Sequence, residues 1–221
     1  MRTRLFWCIS VVVFGLLGCE REALVVPDEA VEGYEISGKL IDGLGSPLVG
    51  IPVRLYYDFQ YIDDGEPESP NFQVTNGAQV IRVSVYDSEG LLVRTLYNGT
   101  YPVGTMRVEW DRKLSSTVFA SNGVYTVQFR VDGELRKSYP VIVDEMVTAM
   151  TDSVGFFVIS NKHLPVGFYP VPLYTEDNAV YLGQFRITEV VLLEFVLPTF
   201  SKLALVTLTK GSTTPVNVTI Q

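Results

Sequence analysis

Apolar residues recur at every second position through most of this chain, and that period decides which class of fold is open to it. Tyr34, Ile36, Gly38 and Leu40 alternate with Glu35, Ser37 and Lys39, and Val53, Leu55 and Tyr57 alternate with Arg54 and Tyr56. Ile81, Val83 and Val85 flank Arg82 and Ser84. Tyr125, Val127, Phe129 and Val131 flank Thr126, Gln128 and Arg130. Successive side chains of a strand point to opposite faces, so each run makes a strand with one buried face. No window keeps a 3.6-residue period with caps, so almost no helix is expected. The 18 Gly and 12 Pro supply turns between many short strands. Asp132-Gly133 between two runs signals a type I′ hairpin. Pro170 and Pro172 lie two apart, so both missing donors fall on one side of their strand. That edge is expected to be unpaired or irregular.

The first residues follow another logic. Arg2 and Arg4 precede an apolar run from Leu5 to Leu17, too short for a spanning helix, which needs roughly 20 residues. The run ends in Leu16-Leu17-Gly18-Cys19, which resembles the lipobox of bacterial lipoproteins: an aliphatic residue, a small residue at the cut, then the cysteine that takes the lipid. Residues 1–18 are therefore expected to be a signal peptide, with Cys19 lipidated. Cys8 would leave with the signal peptide and Cys19 carries the acyl group, so the mature chain would hold neither a free thiol nor a disulfide. Buried acyl methylenes contribute about 0.8 kcal/mol each, so two or more chains hold a folded domain on a membrane. Loss of two Arg and no acid takes the formal charge from −8 to −10. An acidic surface argues against nucleic acid and against polybasic attachment to lipid, leaving the acyl group as the membrane partner. Residues 19–32, acidic and containing Pro27, read as a tether. Glu20 after the cysteine, where Asp marks inner-membrane retention in enterobacteria-like sorting, favours the outer membrane.

Two further resemblances lie one inside the other. Gly38-x-Leu40-x-Asp42-x-x-Gly45-x-Pro47-Leu48-x-Gly50-x-x-Val53-x-Leu55 is similar to the opening of a carboxypeptidase regulatory-like domain. The second signature of that family, Thr151-Asp152-Ser153-Val154-Gly155-Phe156-Phe157 followed by Leu164-Pro165-Val166-Gly167, comes only after a long interval. The interval itself resembles the Ig-like module of the flagellar hook-capping protein (FlgD-like). The resemblance runs from Val83-Ser84-Val85-Tyr86-Asp87 through Val108-Glu109-Trp110-Asp111 to Ala120-Ser121-Asn122-Gly123-Val124-Tyr125. That family often has Gly after the Trp-Asp pair, where this chain has Arg112, so the following loop is expected to be rebuilt. The resemblances imply an all-β protein of two Ig-like β-sandwich domains, the second inserted into a loop of the first. The host would comprise 33–58 and 147–221, and 59–146 would be linker plus guest. Insertions succeed at exposed loop tips when the guest's termini lie close together. A tandem arrangement of three small pieces is the alternative. Phe200 to Leu208 and Lys210 to Ile220 look like the last hairpin of the host.

Candidate chemistry is sparse. His163, the single histidine, sits in Asn161-Lys162-His163-Leu164-Pro165 and reads as an exposed turn residue rather than a catalytic base. One histidine and no available thiol leave no common zinc site. Asp58, Asp63, Asp64, Glu66 and Glu68 form an acidic cluster, and oxygen-rich loops bind Ca²⁺, but the ordered Asp-x-Asp-x-Asp-Gly spacing is missing. No cofactor or metal is expected. Tyr56, Tyr57, Phe59 and Tyr61 are dense around the junction and are the candidate binding surface. The resulting expectation is a non-enzymatic, lipid-anchored protein of the cell envelope acting as a structural, adhesion or assembly module. The alternative is an accessory lipoprotein holding a glycan or peptide at the interdomain aromatics, its partner an unidentified envelope protein or glycan.

Overall fold

The computed structural model describes residues 33–66, 69–175 and 180–221. The expected signal peptide and tether, with Cys19, and Glu68 of the acidic cluster lie outside them. The strands begin with β1 (Tyr34–Asp42) and β2 (Pro52–Asp63). They continue with β3 (Asn71–Val74), β4 (Gln79–Tyr86), β5 (Leu92–Tyr101), β6 (Gly104–Arg107), β7 (Gly123–Val131) and β8 (Glu134–Val143). Then come β9 (Val147–Met150), β10 (Phe156–Ile159), β11 (Val171–Tyr174), β12 (Tyr181–Val196), β13 (Ser201–Thr207) and β14 (Ser212–Ile220). The one helical element among the described residues is a 3-10 turn at Asn161–His163. No helix among them is long and apolar enough to cross a membrane. The class is all-β, as the alternation predicts.

Period two becomes burial residue by residue. Along β7 the odd positions Tyr125, Val127, Phe129 and Val131 are buried while Thr126, Gln128 and Arg130 are half-buried. In β1, Ile36 and Leu40 are fully buried and Lys39 is exposed. Three turns are built to one plan from Asp-x-x-Gly. Asp42, Asp87 and Asp152 each accept two backbone N–H groups on Oδ1, from residues two and four positions on, at 2.8–3.0 Å. Gly45, Gly90 and Gly155 follow at φ 85°, 79° and 74°, each donating to the carbonyl of its Asp at 3.0 Å. The carboxylate organises the reversal, and only glycine takes the left-handed position without strain. Thr151, ahead of the third turn, is buried. Its hydroxyl donates to Leu48 O at 2.7 Å and accepts from Ile51 N at 2.9 Å, tying that turn to the loop before β2. Asp132 (φ 50°) and Gly133 (φ 88°) make the left-handed pair of the expected type I′ hairpin between β7 and β8.

The strands pack around two hydrophobic clusters. In the first lobe, β10, β1 and β14 form one sheet, with β1 parallel to β14. Facing it, β12 carries β11 and β13 on one side and β2, then β9, on the other. Phe157 and Phe195 meet edge-on at 5.3 Å between the layers, amid Ile36, Leu55, Ile187, Leu193 and Ile159. The second lobe holds the sheet β5-β4-β7-β8 and the pair β3-β6. Its interior contains Ile81, Val83, Val127, Phe129, Met106 and Trp110, with Phe72 stacked on Phe129 at 5.5 Å. Residues on either side of the second lobe share sheets: β1 pairs with β10 and β14, and β2 with β9 and β12.

The tail departs from expectation. β13 and β14 do not form a hairpin. β12 and β13 do, through Leu197 N to Phe200 O at 3.0 Å, and the chain then crosses to lay β14 beside β1. The crossing lets Val206 and Leu208 enter the core from one layer and Val216 and Val218 from the other, where a hairpin would leave the second layer without its third strand. β11, which contains Pro172, ends its sheet and has a register shift between Leu173 and Tyr174, as the proline spacing implies.

Candidate functional site

The chain returns from the second lobe through Asp144-Glu145-Met146, between β8 and β9. Here the lobes are joined by polar groups. Asn122, immediately before β7, is fully buried. Its Nδ2 donates to Leu55 O at 3.0 Å and to Asp144 Oδ1 at 2.9 Å, and its Oδ1 accepts from Met146 N at 2.8 Å. Asp144 Oδ1 also accepts from Tyr57 N at 3.1 Å and Glu145 N at 2.8 Å. Burial disfavours the charged form and pushes the Asp144 carboxyl up to about 6, although those three donors pull the other way. His163 Nδ1 lies 2.7 Å from Asn122 O. A carbonyl can only accept, so Nδ1 carries the proton. Burial holds the imidazole below its usual pKa. The Tyr57 hydroxyl donates to His163 O at 2.8 Å, and its own titration is pushed up by burial. His163 is thus in a turn, as expected, but half-buried rather than exposed. Its ring braces the two lobes, because the 3-10 turn packs against the start of β7.

Beside this brace two adjoining hollows, of about 680 and 480 Å³, share Arg112, Pro140, Val141, Pro172 and Tyr174. One wall is β8 and the other is β11, each the terminal strand of its sheet. Trp110 and Tyr139 lie at the second-lobe end, and Phe59 and Asp144 at the other. Trp110 Nε1 donates to Lys113 O at 2.8 Å, and its ring packs on Tyr125 at 4.9 Å. Three non-glycine residues among those described have left-handed backbone: Asp132 in its hairpin, and Arg112 (φ 59°) and Glu145 (φ 65°), which both line the larger hollow. A Cβ in that region costs roughly 1–2 kcal/mol. The loop after Arg112 is closed by Leu114 N to Val118 O at 2.8 Å.

The candidate aromatics do not share a face. Tyr57 is buried, and Phe59 packs edge-on against it at 6.3 Å, half-buried in the first core. Tyr56 faces the other way, donating to Glu194 Oε2 at 2.7 Å, where Arg54 also donates at 3.0 Å. Tyr61, 49% exposed, packs on Phe185 and donates to Asp64 at 2.7 Å. Of the four, Phe59 alone lines the cleft. The acids are spent singly: Asp58 on the Thr188 hydroxyl, Asp63 on Tyr169 and Gly65 N, and Asp64 on Tyr61. Among the described residues no group of three or more His, Cys, Asp or Glu is placed to hold a metal ion. Asn122 and Asp144 escape sequence reasoning, since an Asn before a Gly and an acid after a strand both read as loop. Arg112 carries the one available signal, a large residue where a glycine is common.

Residues 58–133 match the family model of the FlgD Ig-like domain. The match runs from the end of β2 through the hairpin after β7, and β8, paired with β7 along its length, lies just beyond it. Comparison with curated proteins and with solved structures yields no match. An Ig-like module of this type fits a structural or assembly role.

Proposed function

We propose that the protein is a non-enzymatic lipoprotein of the cell envelope, attached through a lipid on Cys19, that serves as a structural or assembly module. In this reading the hook-capping-type Ig-like domain is a guest in a carboxypeptidase regulatory-like sandwich. What supports an insertion is the pairing of β1 and β2 with strands that follow the guest, together with the separation of the two hydrophobic clusters. The observation that carries the assembly role is the brace at Asn122, Asp144, Tyr57 and His163, which holds one Ig-like domain at a fixed attitude to the other. The outer membrane is the favoured location, on the residue after Cys19.

The test uses the full chain expressed in a lipoprotein-processing bacterium. Mass spectrometry of the mature N-terminus should find an acylated Cys19, and Cys19→Ala should move the protein from the membrane to the soluble fraction. An unmodified Cys19 in the membrane fraction overturns the anchor. Photo-cross-linking from Tyr174 in intact cells should trap a discrete envelope protein, whereas a label spread evenly over the envelope argues against an assembly role. A second reading, an accessory lipoprotein holding a peptide or glycan, is favoured by the cleft between β8 and β11.

A further inference from the structure

We propose that the cleft between β8 and β11 binds an extended peptide segment carrying one acidic and one basic side chain, with its carboxylate on Arg112 and its ammonium on Glu145. The inference rests on the second reading above and gives its ligand a chemistry. Arg112 and Glu145 line one hollow, carry opposite charge and are both held left-handed. Glycine would take either backbone position without strain, so a side chain retained at both points to use of the side chains. Neither has an ion pair or side-chain hydrogen bond among the described residues. The other charges nearby are already committed: Arg107 pairs with Glu109, and Asp144 Oδ1 accepts the three brace donors. Arg112 and Glu145 are therefore left to meet a ligand.

The walls select a peptide. Both are terminal strands, and each has a proline facing the hollow, Pro140 on β8 and Pro172 on β11. Proline keeps its carbonyl and lacks the N–H, so at these two positions the wall can offer a backbone acceptor and no donor. A ligand that fills it must bring N–H groups, and an extended peptide brings one per residue. Pro140, Pro172, Phe59 and Tyr174 add apolar surface for alternate side chains.

The probe is the acetylated, amidated hexapeptide Thr-Val-Glu-Val-Lys-Val, compared with its double Gln counterpart and with a hexamer of N-acetylglucosamine. Binding to the processed chain from Cys19 onward is read by titration calorimetry and by the fluorescence of Trp110, the one indole left once residues 1–18 are removed. The charged peptide should bind about tenfold more tightly than the Gln peptide. Arg112→Gly and Glu145→Gly should each abolish that difference while Tm stays within about 3 °C, because glycine suits both backbone positions. Equal binding of the two peptides, or unchanged affinity in both glycine variants, overturns the charge assignment. Binding of the sugar hexamer alone keeps the cleft as a site and overturns the peptide. Binding of none overturns the second reading together with this proposal.

Discussion

Inside the first lobe Phe157 meets Phe195 at 5.3 Å, and inside the second Phe72 stacks on Phe129 at 5.5 Å. Between the lobes, Asn122 and Asp144 are joined by hydrogen bonds to Leu55, Tyr57 and Met146. The interiors are held by non-directional apolar burial, which tolerates small displacements. The junction is held by directional bonds to named backbone atoms of residues distant in sequence. Each core stabilises its own lobe, while the junction fixes their mutual attitude and responds to pH.

The largest test of that contrast is a cut in either core. Phe195→Ala and Phe129→Ala each remove a fully buried ring and should cost about 3–5 kcal/mol. In calorimetry Phe129→Ala should split off an early transition of the second lobe, with residual β structure melting later. A single transition lowered equally by both variants would mean that the two cores act as one.

A smaller loss is expected at the junction. Asn122→Ala strips Leu55 O and Met146 N of their partner and should cost about 1–3 kcal/mol. Both lobes should stay folded while amide exchange rises at Met146 and Tyr57. Protection unchanged at those amides would show that the brace contributes nothing to their stability.

The smallest effect is pH-dependent. Asp144 titrates near 6 in the folded chain against a usual 3.8, so the folded state holds the proton more firmly than the unfolded one. Its stabilising contribution is complete below pH 4 and is lost as pH rises through about 6. Partial solvent screening limits the loss to about 1–2 kcal/mol. His163, with its pKa lowered, works in the opposite sense, being stabilising above its usual 6.5 and losing that contribution as pH falls. Glu145, adjacent, adds repulsion that helps raise the Asp144 value. Asp144→Asn isolates the group: its Tm should exceed that of the parent at pH 7.5 and converge with it at pH 4.5. Parallel Tm curves across that range would remove Asp144 as the titrating group.

Much of the fold was legible because strands and turns are written over short spans. The alternation marks β7 and β1, and Asp132-Gly133 marks the hairpin, while the shared Asp-x-x-Gly plan of three other reversals shows only in their hydrogen bonds. The pairing of the tail is not legible in this way, because Phe200–Leu208 and Lys210–Ile220 have the pattern of two strands whether or not they pair. Local propensity carries no information about which layer a strand joins. The aromatics at 56–61 were read as one surface, yet the same alternation turns Tyr56 away from Tyr57 and Phe59, and Tyr57 is spent on His163 O.

By itself the sequence determined that the chain is all-β, that β7 turns back at Asp132-Gly133, and which alternate residues of β1, β2 and β7 face inward. The side-chain period and the steric freedom of glycine act within a few residues, so no partner is needed to read them. Only the tertiary structure decided that Asn122, Asp144, Tyr57 and His163 meet, and that Arg112 and Glu145 face the same cleft. A buried polar group is satisfied by whichever atoms the packing brings within about 3 Å, and those come from strands far apart in the chain.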